Sequence, residues 1–275
     1  LELEKESFWD HWRWQPYNDT VLWYSFVNSK CRRLLSNKWE TYKRFKPYYR
    51  RQCVMANSSD LNWFGAAKST MQLPVIVKPL DSSKGNGVKK FDSWDEVVTY
   101  VNSIGDGVVE EFIRQDEQLA QFNCSSVNTL RINTVNYGNG EIEVKWPALR
   151  MGRKGALVDN GGAGGVVAGI DVRTGKIIGV SDESRNIYSE HPDAHLPLIG
   201  FTIPKWTEAC DMAEKKKKNI PEAVFVGWDL ALSDSGWVMV EANSSPLILW
   251  EIAVRRGIRR EFNEMRRKVD RNSHK

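Results

Sequence analysis

Cysteine, histidine and long apolar runs are scarce in this 275-residue chain, and each scarcity closes off a class of protein. Cys31, Cys53, Cys124 and Cys210 stand far apart with no C-x-x-C pair, which excludes a zinc knuckle, a dithiol redox centre and a disulfide framework. They read as buried thiols, the usual fate of free cysteine. Only His191 and His195 have the i, i+4 spacing of a helical metal pair, but Pro192 between them and Pro197 beyond predict a loop. That loop makes His191 a candidate to face substrate. No apolar run reaches the roughly 18 residues of a membrane span, and the acidic, aromatic start LELEKESFWDHWRW is unlike a signal peptide. The expectation is a soluble, cytoplasmic protein; because the chain begins at Leu1 rather than Met, the missing leader carries little weight.

What is present is core-forming material: 41% hydrophobic and 11% aromatic residues, with nothing resembling a linker. One large domain or two lobes sharing a cleft follow. The net charge of +4 is unevenly spread. Residues 30–51 carry Lys30, Arg32, Arg33, Lys38, Lys43, Arg44, Lys46, Arg50 and Arg51 against the single acid Glu40, and the stretch from Arg255 is also basic. Clustered cations attract polyanions. No nucleic-acid motif accompanies them, so solvated helix faces are the better reading, with peripheral membrane contact left open. Ile258, Phe262, Met265 and Val269 recur at i, i+4, i+7 and i+11, one inward stripe of an amphipathic helix. The early tryptophans Trp9, Trp12, Trp14, Trp23 and Trp39 read as cement for the N-terminal segment, and the lysine run 215–218 as an exposed helix end.

Residues 1 to about 55 read as helical. From Gln72 the pattern changes to short β-branched runs punctuated by glycine: LPVIVKP, GVKKF, GVVEEFI, SVNTLRINTVNY, EIEVKWPALRM, GVVAGIDV, KIIGVS, AVFVGWDLALS and WVMVEAN. These predict strands in mostly antiparallel succession. Helices are predicted over 93–103 with Ser93 as N-cap, over 205–219, and from about 246 onward.

Two motifs carry chemistry. In VIVKPLDSSKGNGVKK, residues 75–90, a strand delivers Lys78 and a loop holding Lys84, Gly85 and Gly87 leads into a returning strand. The loop lacks the Walker and dinucleotide signatures, yet glycines let backbone amides approach polyphosphate while a strand lysine supplies a fixed charge. A plain hairpin with solvated lysines explains the same residues. In FVGWDLALSDSGWVMVEANSSP, residues 225–246, the D-S-G signal predicts a three-residue loop, Ser233 facing Trp237 and position numbers summing to 470. Asp229 then faces Glu241, and Asn243 shares that face. Three oxygen ligands converge, and two adjacent carboxylates call for a cation between them; hard oxygen donors suit Mg²⁺ carrying nucleotide phosphates. A solvated hairpin is the alternative.

With those residues in place, the chain resembles the ATP-grasp superfamily: the strand lysine with its glycine loop, V-V-E-E-F-I, and the closing D(x11)E-x-N pattern occur in that order. The strings S-V-N-T-L-R, A-L-R-M-G, V-D-N-G-G, H-P-D and V-G-W-D are similar, more narrowly, to the sugar-transfer-associated ATP-grasp group. The similarity runs from about Leu34 to Lys268. It implies an α+β fold in which two lobes with antiparallel sheets grip ATP between them. The implied organisation is a helical, tryptophan-rich segment over 1–37, a small lobe with the phosphate loop over 38–107, and a large lobe over 108–275.

Carried over by position, the resemblance implies phosphate contacts from Lys38 and Lys78, with Lys84, Gly85 and Gly87 in the loop above. The backbone of Glu111 and Ile113 would bond adenine, Glu110 would sit beside its amine, and Glu117 or Asp116 would hold the ribose. Arg131 and Arg150 would clamp the transferring phosphoryl group, where planar guanidinium is well suited. Asp229, Glu241 and Asn243 would hold Mg²⁺. Between Arg150 and Ile170, GRKGALVDNGGAGGVVAG reads as a substrate-contacting loop with Asp159 and Asn160 as candidate contacts, or as a plain surface loop. Two features depart from the family pattern. Many relatives have an arginine where this chain has Gly227, and many have an N-terminal α/β domain that 37 residues before Lys38 cannot form. The implied activity is an ATP- and Mg²⁺-dependent carboxylate–amine ligase working through an acyl phosphate, on a sugar acid or amino acid in surface-polysaccharide synthesis. The small-molecule acid and amine are its partners. A phosphotransferase acting on a hydroxyl, and a nucleotide-binding protein without turnover, are the other classes.

Overall fold

A computed structural model describes residues 23, 28–80, 82, 85–153, 155, 164–182, 184–244, 246 and 249–273. Helices α1 (Arg32–Ser36) and α2 (Lys38–Tyr49) come first, separated at Asn37, whose side chain accepts from the Glu40 amide and starts α2. Strand β1 (Cys53–Asn57) and helix α3 (Asn62–Thr70) follow, the strand starting inside the stretch to about 55 that reads as helical. Then come β2 (Val75–Pro79), β3 (Lys89–Phe91), α4 (Trp94–Ile104) and β4 (Asp106–Glu111). These four strands make one antiparallel sheet in the order β1-β4-β2-β3. Its Val75, Val77 and Val109 side pack against Ala67 of α3 and Val97 and Val101 of α4. Ile76, Lys78, Val108 and Glu110 lie on the other side, because side chains alternate along a strand and Ile76 pairs with Glu110 and Lys78 with Val108. Since β4 is zipped between β1 and β2, the change of sheet falls after Glu111 rather than at 107.

The second sheet holds β5 (Thr129–Asn136), β6 (Ile142–Met151), β7 (Val166–Ile170), β8 (Ile177–Asp182), β9 (Phe225–Ser233) and β10 (Gly236–Asn243). It is antiparallel throughout, in the order β10-β9-β5-β6-β7-β8. The short helix α5 (Glu117–Ala120) lies between the two sheets in the chain, and α6 (Trp206–Lys218) precedes β9. One face of this sheet, with Leu130, Ile132, Trp228, Leu230 and Met239, is buried against Phe45 of α2 and Ala209, Met212 and Ala213 of α6. The Phe45 ring meets Trp228 edge-on at 5.3 Å. Helices α7 (Trp250–Val254) and α8 (Arg259–Ser273) close the chain. As the periodicity requires, Ile258, Phe262, Met265 and Val269 are all buried, in a cluster with Trp23, Trp146, Phe225 and Trp250.

Two readings need correction. The lysine run is not an exposed helix end: Lys216 and Lys217 are fully buried. Lys217 donates to the carbonyls of Ile220 and Ala223, which terminate α6, whereas Lys216 lies over the Trp228 ring at 4.7 Å with no hydrogen-bond partner for its amine. Its pKa is pushed well below the ordinary lysine value by burial, with Asp229 pulling the other way. Among the cysteines, Cys31 and Cys53 are buried, but Cys124 is exposed. Trp9, Trp12 and Trp14 lie outside the described residues.

Candidate active site

The β9–β10 hairpin decides the geometry. Its connection is the two residues Asp234 and Ser235, not three: Gly236 pairs with Ser233, Trp237 with Leu232 and Met239 with Leu230, so numbers sum to 469 near the turn. Gly236 takes φ +99°, a conformation that suits glycine. The ladder then shifts between Met239 and Glu241, Val240 is left over, and Glu241 pairs with Asp229 as the sequence predicted. Asn243 follows on the same face, its amide 3.4 Å from Asp229 Oδ2 and 3.3 Å from Glu241 Oε1.

From the other side, β5 and β6 bring two arginines to the same carboxylate. Arg131 pairs with Asp229 across the β5–β9 ladder and grips it with two parallel bonds, Nε to Oδ1 and Nη2 to Oδ2 at 2.8 Å. Arg150 Nη2 adds a third bond to Oδ2 at 3.0 Å, while Thr129, opposite Arg150, accepts from its Nε and Nη2 at 3.0 and 2.6 Å. Thr129 was missed in the sequence, although its position two residues before Arg131 puts it on that face. Asp229 is fully buried; burial alone would raise its pKa, but Arg131 and Arg150 outweigh it and hold the carboxyl well below the usual range. Glu241 has the opposite balance: burial and the neighbouring Asp229 push it up to about 7. One face of the sheet therefore runs from two guanidiniums through an ionised carboxylate to a carboxyl whose pKa is raised.

At Gly227, where the resemblance leads one to expect an arginine, no side chain fits. A Cβ there would lie 2.5 Å from Pro246 Cβ and 3.1 Å from Arg131 Cδ. The space is filled by Pro246 and by the stem of Arg131, reaching over from the neighbouring strand.

The first sheet contributes a second cluster. Lys78 Nζ is 2.9 Å from Glu110 Oε2, and Arg51 donates to the same oxygen from Nη2 at 2.6 Å and Nε at 3.2 Å. Burial raises the Glu110 pKa, but the two cations win and lower it to about 2. Lys38 Nζ is bound to the carbonyls of Pro79 at 2.9 Å and Ser82 at 2.6 Å, so it ties α2 to the start of the glycine loop. In that loop Gly85 and Gly87 take φ +74° and +73°; a Cβ on Gly87 would come within 2.7 Å of Pro79.

Glu111 and Ile113 line a cavity of about 310 Å³ between the sheets, with Tyr49, Leu73, Pro74 and Val238. The Glu111 amide is already bonded to Gln52 O at 3.1 Å. Asp116 caps α5 through the Gln118 amide, and Glu117 is exposed on that helix. His191, expected at substrate, is fully buried instead: its Nδ1 accepts from the Asp193 and Ala194 amides and its Nε2 faces Gly152 O at 3.3 Å. It organises the loop that carries Asp193, which forms a two-bond ion pair with Arg153. Lys84, Asp159 and Asn160 lie outside the described residues.

Two antiparallel sheets facing one another across such clusters define the ATP-grasp fold, and solved structures agree. The chain matches VanG D-Ala:D-Ser ligase from Enterococcus faecalis with a TM-score of 0.55, 13% identity and coverage of 86% of this chain and 61% of that one. It matches phosphoribosylamine–glycine ligase from Thermotoga maritima with a TM-score of 0.51, 15% identity and coverage of 78% and 48%. It also matches N5-carboxyaminoimidazole synthetase from Staphylococcus aureus complexed with ADP, with a TM-score of 0.51, 12% identity and coverage of 78% and 46%. The chain thus spans between about half and three fifths of the length of these proteins. No curated protein sequence matches it. The sugar-transfer associated ATP-grasp family matches residues 96–267, and the chain belongs to that family. Among the described residues no helix is long and apolar enough to cross a membrane.

Proposed function

We propose that this protein is an ATP- and Mg²⁺-dependent carboxylate–amine ligase that acts through an acyl phosphate on a sugar acid or amino acid, in the synthesis of a surface polysaccharide. The observation that carries the reading is the row Arg150, Arg131, Asp229, Glu241 and Asn243 on one sheet face. In the reaction a substrate carboxylate oxygen attacks the γ-phosphorus of ATP and the bond to the bridging oxygen breaks, giving ADP and an acyl phosphate. The amine then attacks the carbonyl carbon, the phosphate leaves with its oxygen, and the amine proton passes to water. Both steps build charge on phosphoryl and carbonyl oxygens, which guanidiniums fixed in advance stabilise best.

Asp229 fixes them, bonding Nε and Nη2 of Arg131 and Nη2 of Arg150, which would leave Nη1 of Arg131 for substrate oxygens. Lys78, with Lys38 and the glycine loop behind it, takes the nucleotide phosphates; the Glu111 carbonyl and the Ile113 amide take the base, and Glu117 the ribose. The donor chemistry fits Mg²⁺: burial and then the neighbouring Asp229 raise the Glu241 carboxyl to about 7, the situation a cation relieves. Among the described residues no three His, Cys, Asp or Glu side chains gather as a metal cluster; Glu241 and Asn243 would hold the ion, with Asp229 joining them only by giving up an arginine bond and Asn243 by turning its amide oxygen toward Glu241. When bound, the ion neutralises phosphate charge. A hydroxyl acceptor would call for a carboxylate base, and Asp229 is committed to its arginines, which favours the ligase over the phosphotransferase.

The test is trapping. With ATP, Mg²⁺ and a panel of uronic acids and amino acids, hydroxylamine should yield a hydroxamate together with ADP and phosphate. Phosphate held stably on a substrate hydroxyl, with no hydroxamate, would overturn the proposal in favour of a phosphotransferase.

A further inference from the structure

Arg51 belongs to a basic run that the sequence presents as solvated, yet its side chain is only 6% exposed. All of its contacts are internal. Besides the two bonds to Glu110, Nη1 donates to Met239 O at 2.5 Å and to Tyr49 O at 3.3 Å, and the guanidinium stacks on the Tyr49 ring with its carbon 4.7 Å from the centroid. One planar group thereby joins β4 of the first sheet to β10 of the second, two residues before Glu241 on the latter. Such a fork meets several acceptors at fixed angles, which an ammonium cannot do.

The charge balance of this cluster is the informative feature. Glu110 Oε2 takes three donors from two cations, Arg51 and Lys78, against its own single charge. A buried carboxylate stripped of its partner is strongly destabilised. If Lys78 were its only counter-ion, turning Lys78 toward an anion would strip it in that way. With Arg51 in place, Glu110 stays paired whichever way Lys78 points, and the cluster keeps one surplus positive charge.

We infer that Arg51 is a positioning residue, the resident counter-ion of Glu110 that releases Lys78 to bind nucleotide phosphate and holds the base-binding hinge in register with the strand bearing Glu241. The inference rests on the nucleotide reading above. Arg51 lines the cavity beside Glu111, but its guanidinium is spent on Glu110, Met239 and Tyr49.

The experiment measures MgADP affinity by calorimetry on the full chain, with unfolding curves run beside it. Arg51→Met should weaken binding by roughly tenfold or more, since a truncated buried pair leaves the other charge to capture Lys78. Adding Glu110→Gln to Arg51→Met removes the charge that captures Lys78 and should restore most of the loss. A residue with only a structural role gives no such rescue by a second deletion. Arg51→Lys keeps the charge that releases Lys78 but cannot hold all of the fork's acceptors, so it should bind more weakly than the wild type and more tightly than Arg51→Met; if Arg51→Met does not fold, Arg51→Lys binding like the wild type overturns the role. Arg51→Met binding like the wild type, or weakened binding that Glu110→Gln leaves unrepaired, overturns the role of Arg51 alone. Arg51→Lys binding as poorly as the methionine variant does the same. A wild-type chain that ignores MgADP overturns the nucleotide reading and the role of Arg51 with it.

Discussion

Glu241 faces Asp229 because Val240 is squeezed out of the β9–β10 ladder. The turn is one residue shorter than its D-S-G signal suggests, which alone would have paired Asp229 with Val240. The bulge restores the intended partner and gives Glu241 its perturbed carboxyl beside a carboxylate that two arginines keep ionised.

That pair sets a pH dependence whose sign can be worked out. Glu241 titrates near 4.5 when unfolded and at about 7 when folded, so the folded state binds the proton more tightly. Its contribution is complete below the unfolded value and is lost as pH rises through about 7. The ligand-free melting temperature should fall between pH 5 and 8, and Glu241→Gln should flatten that fall. A slope unchanged in the glutamine variant would refute the assignment.

Glu241→Ala should abolish ATP turnover while leaving the fold intact, because the lost group lines the cleft and not a core. Circular dichroism and ADP release measured on the same sample decide it. Turnover at the wild-type rate would remove Glu241 from the site.

Arg131 and Arg150 should separate on stability. Arg131 makes the two-bond grip on a fully buried carboxylate, so Arg131→Met should cost about 3–5 kcal/mol in denaturant unfolding. Arg150 is more exposed and leaves Asp229 still held, so Arg150→Met should destabilise far less yet still impair turnover. Equal losses in the two variants would mean that Asp229 is not anchored chiefly by Arg131.

Lys216 makes the opposite prediction. An amine buried without a hydrogen-bond partner loses its hydration for a single ring contact, so Lys216→Met, of similar length, should raise the urea midpoint, with a gain on the order of 1 kcal/mol. A lowered midpoint would show that the ring contact with Trp228 outweighs the lost hydration.

Gly227→Ala places a methyl group 2.5 Å from Pro246 Cβ and against the Arg131 stem. It should cost about 1–3 kcal/mol and shift Arg131, which kinetic assays would register as lost turnover. A variant as stable and active as the wild type would show that the strand can move aside.

The sequence by itself determined the alternation of short strands, the C-terminal amphipathic stripe and the local motifs, because these depend on periods of 2 and 3.6 that neighbouring residues carry. Lys78 with its loop was legible for that reason, whereas Asp229 meets Glu241 only because the bulge at Val240 offsets a turn one residue shorter than its signal. Tertiary structure decided what local pattern cannot encode: which charges lose their water, and what they meet when they do. It turned Arg51 and Lys216 from apparent surface cations into buried ones, withdrew His191 into a loop core, and seated Arg131 in the space above Gly227. Each of these depends on contacts between residues far apart in the chain, Arg51 with Glu110 and Met239, Arg131 with Asp229, so no local window contains the two halves of the interaction.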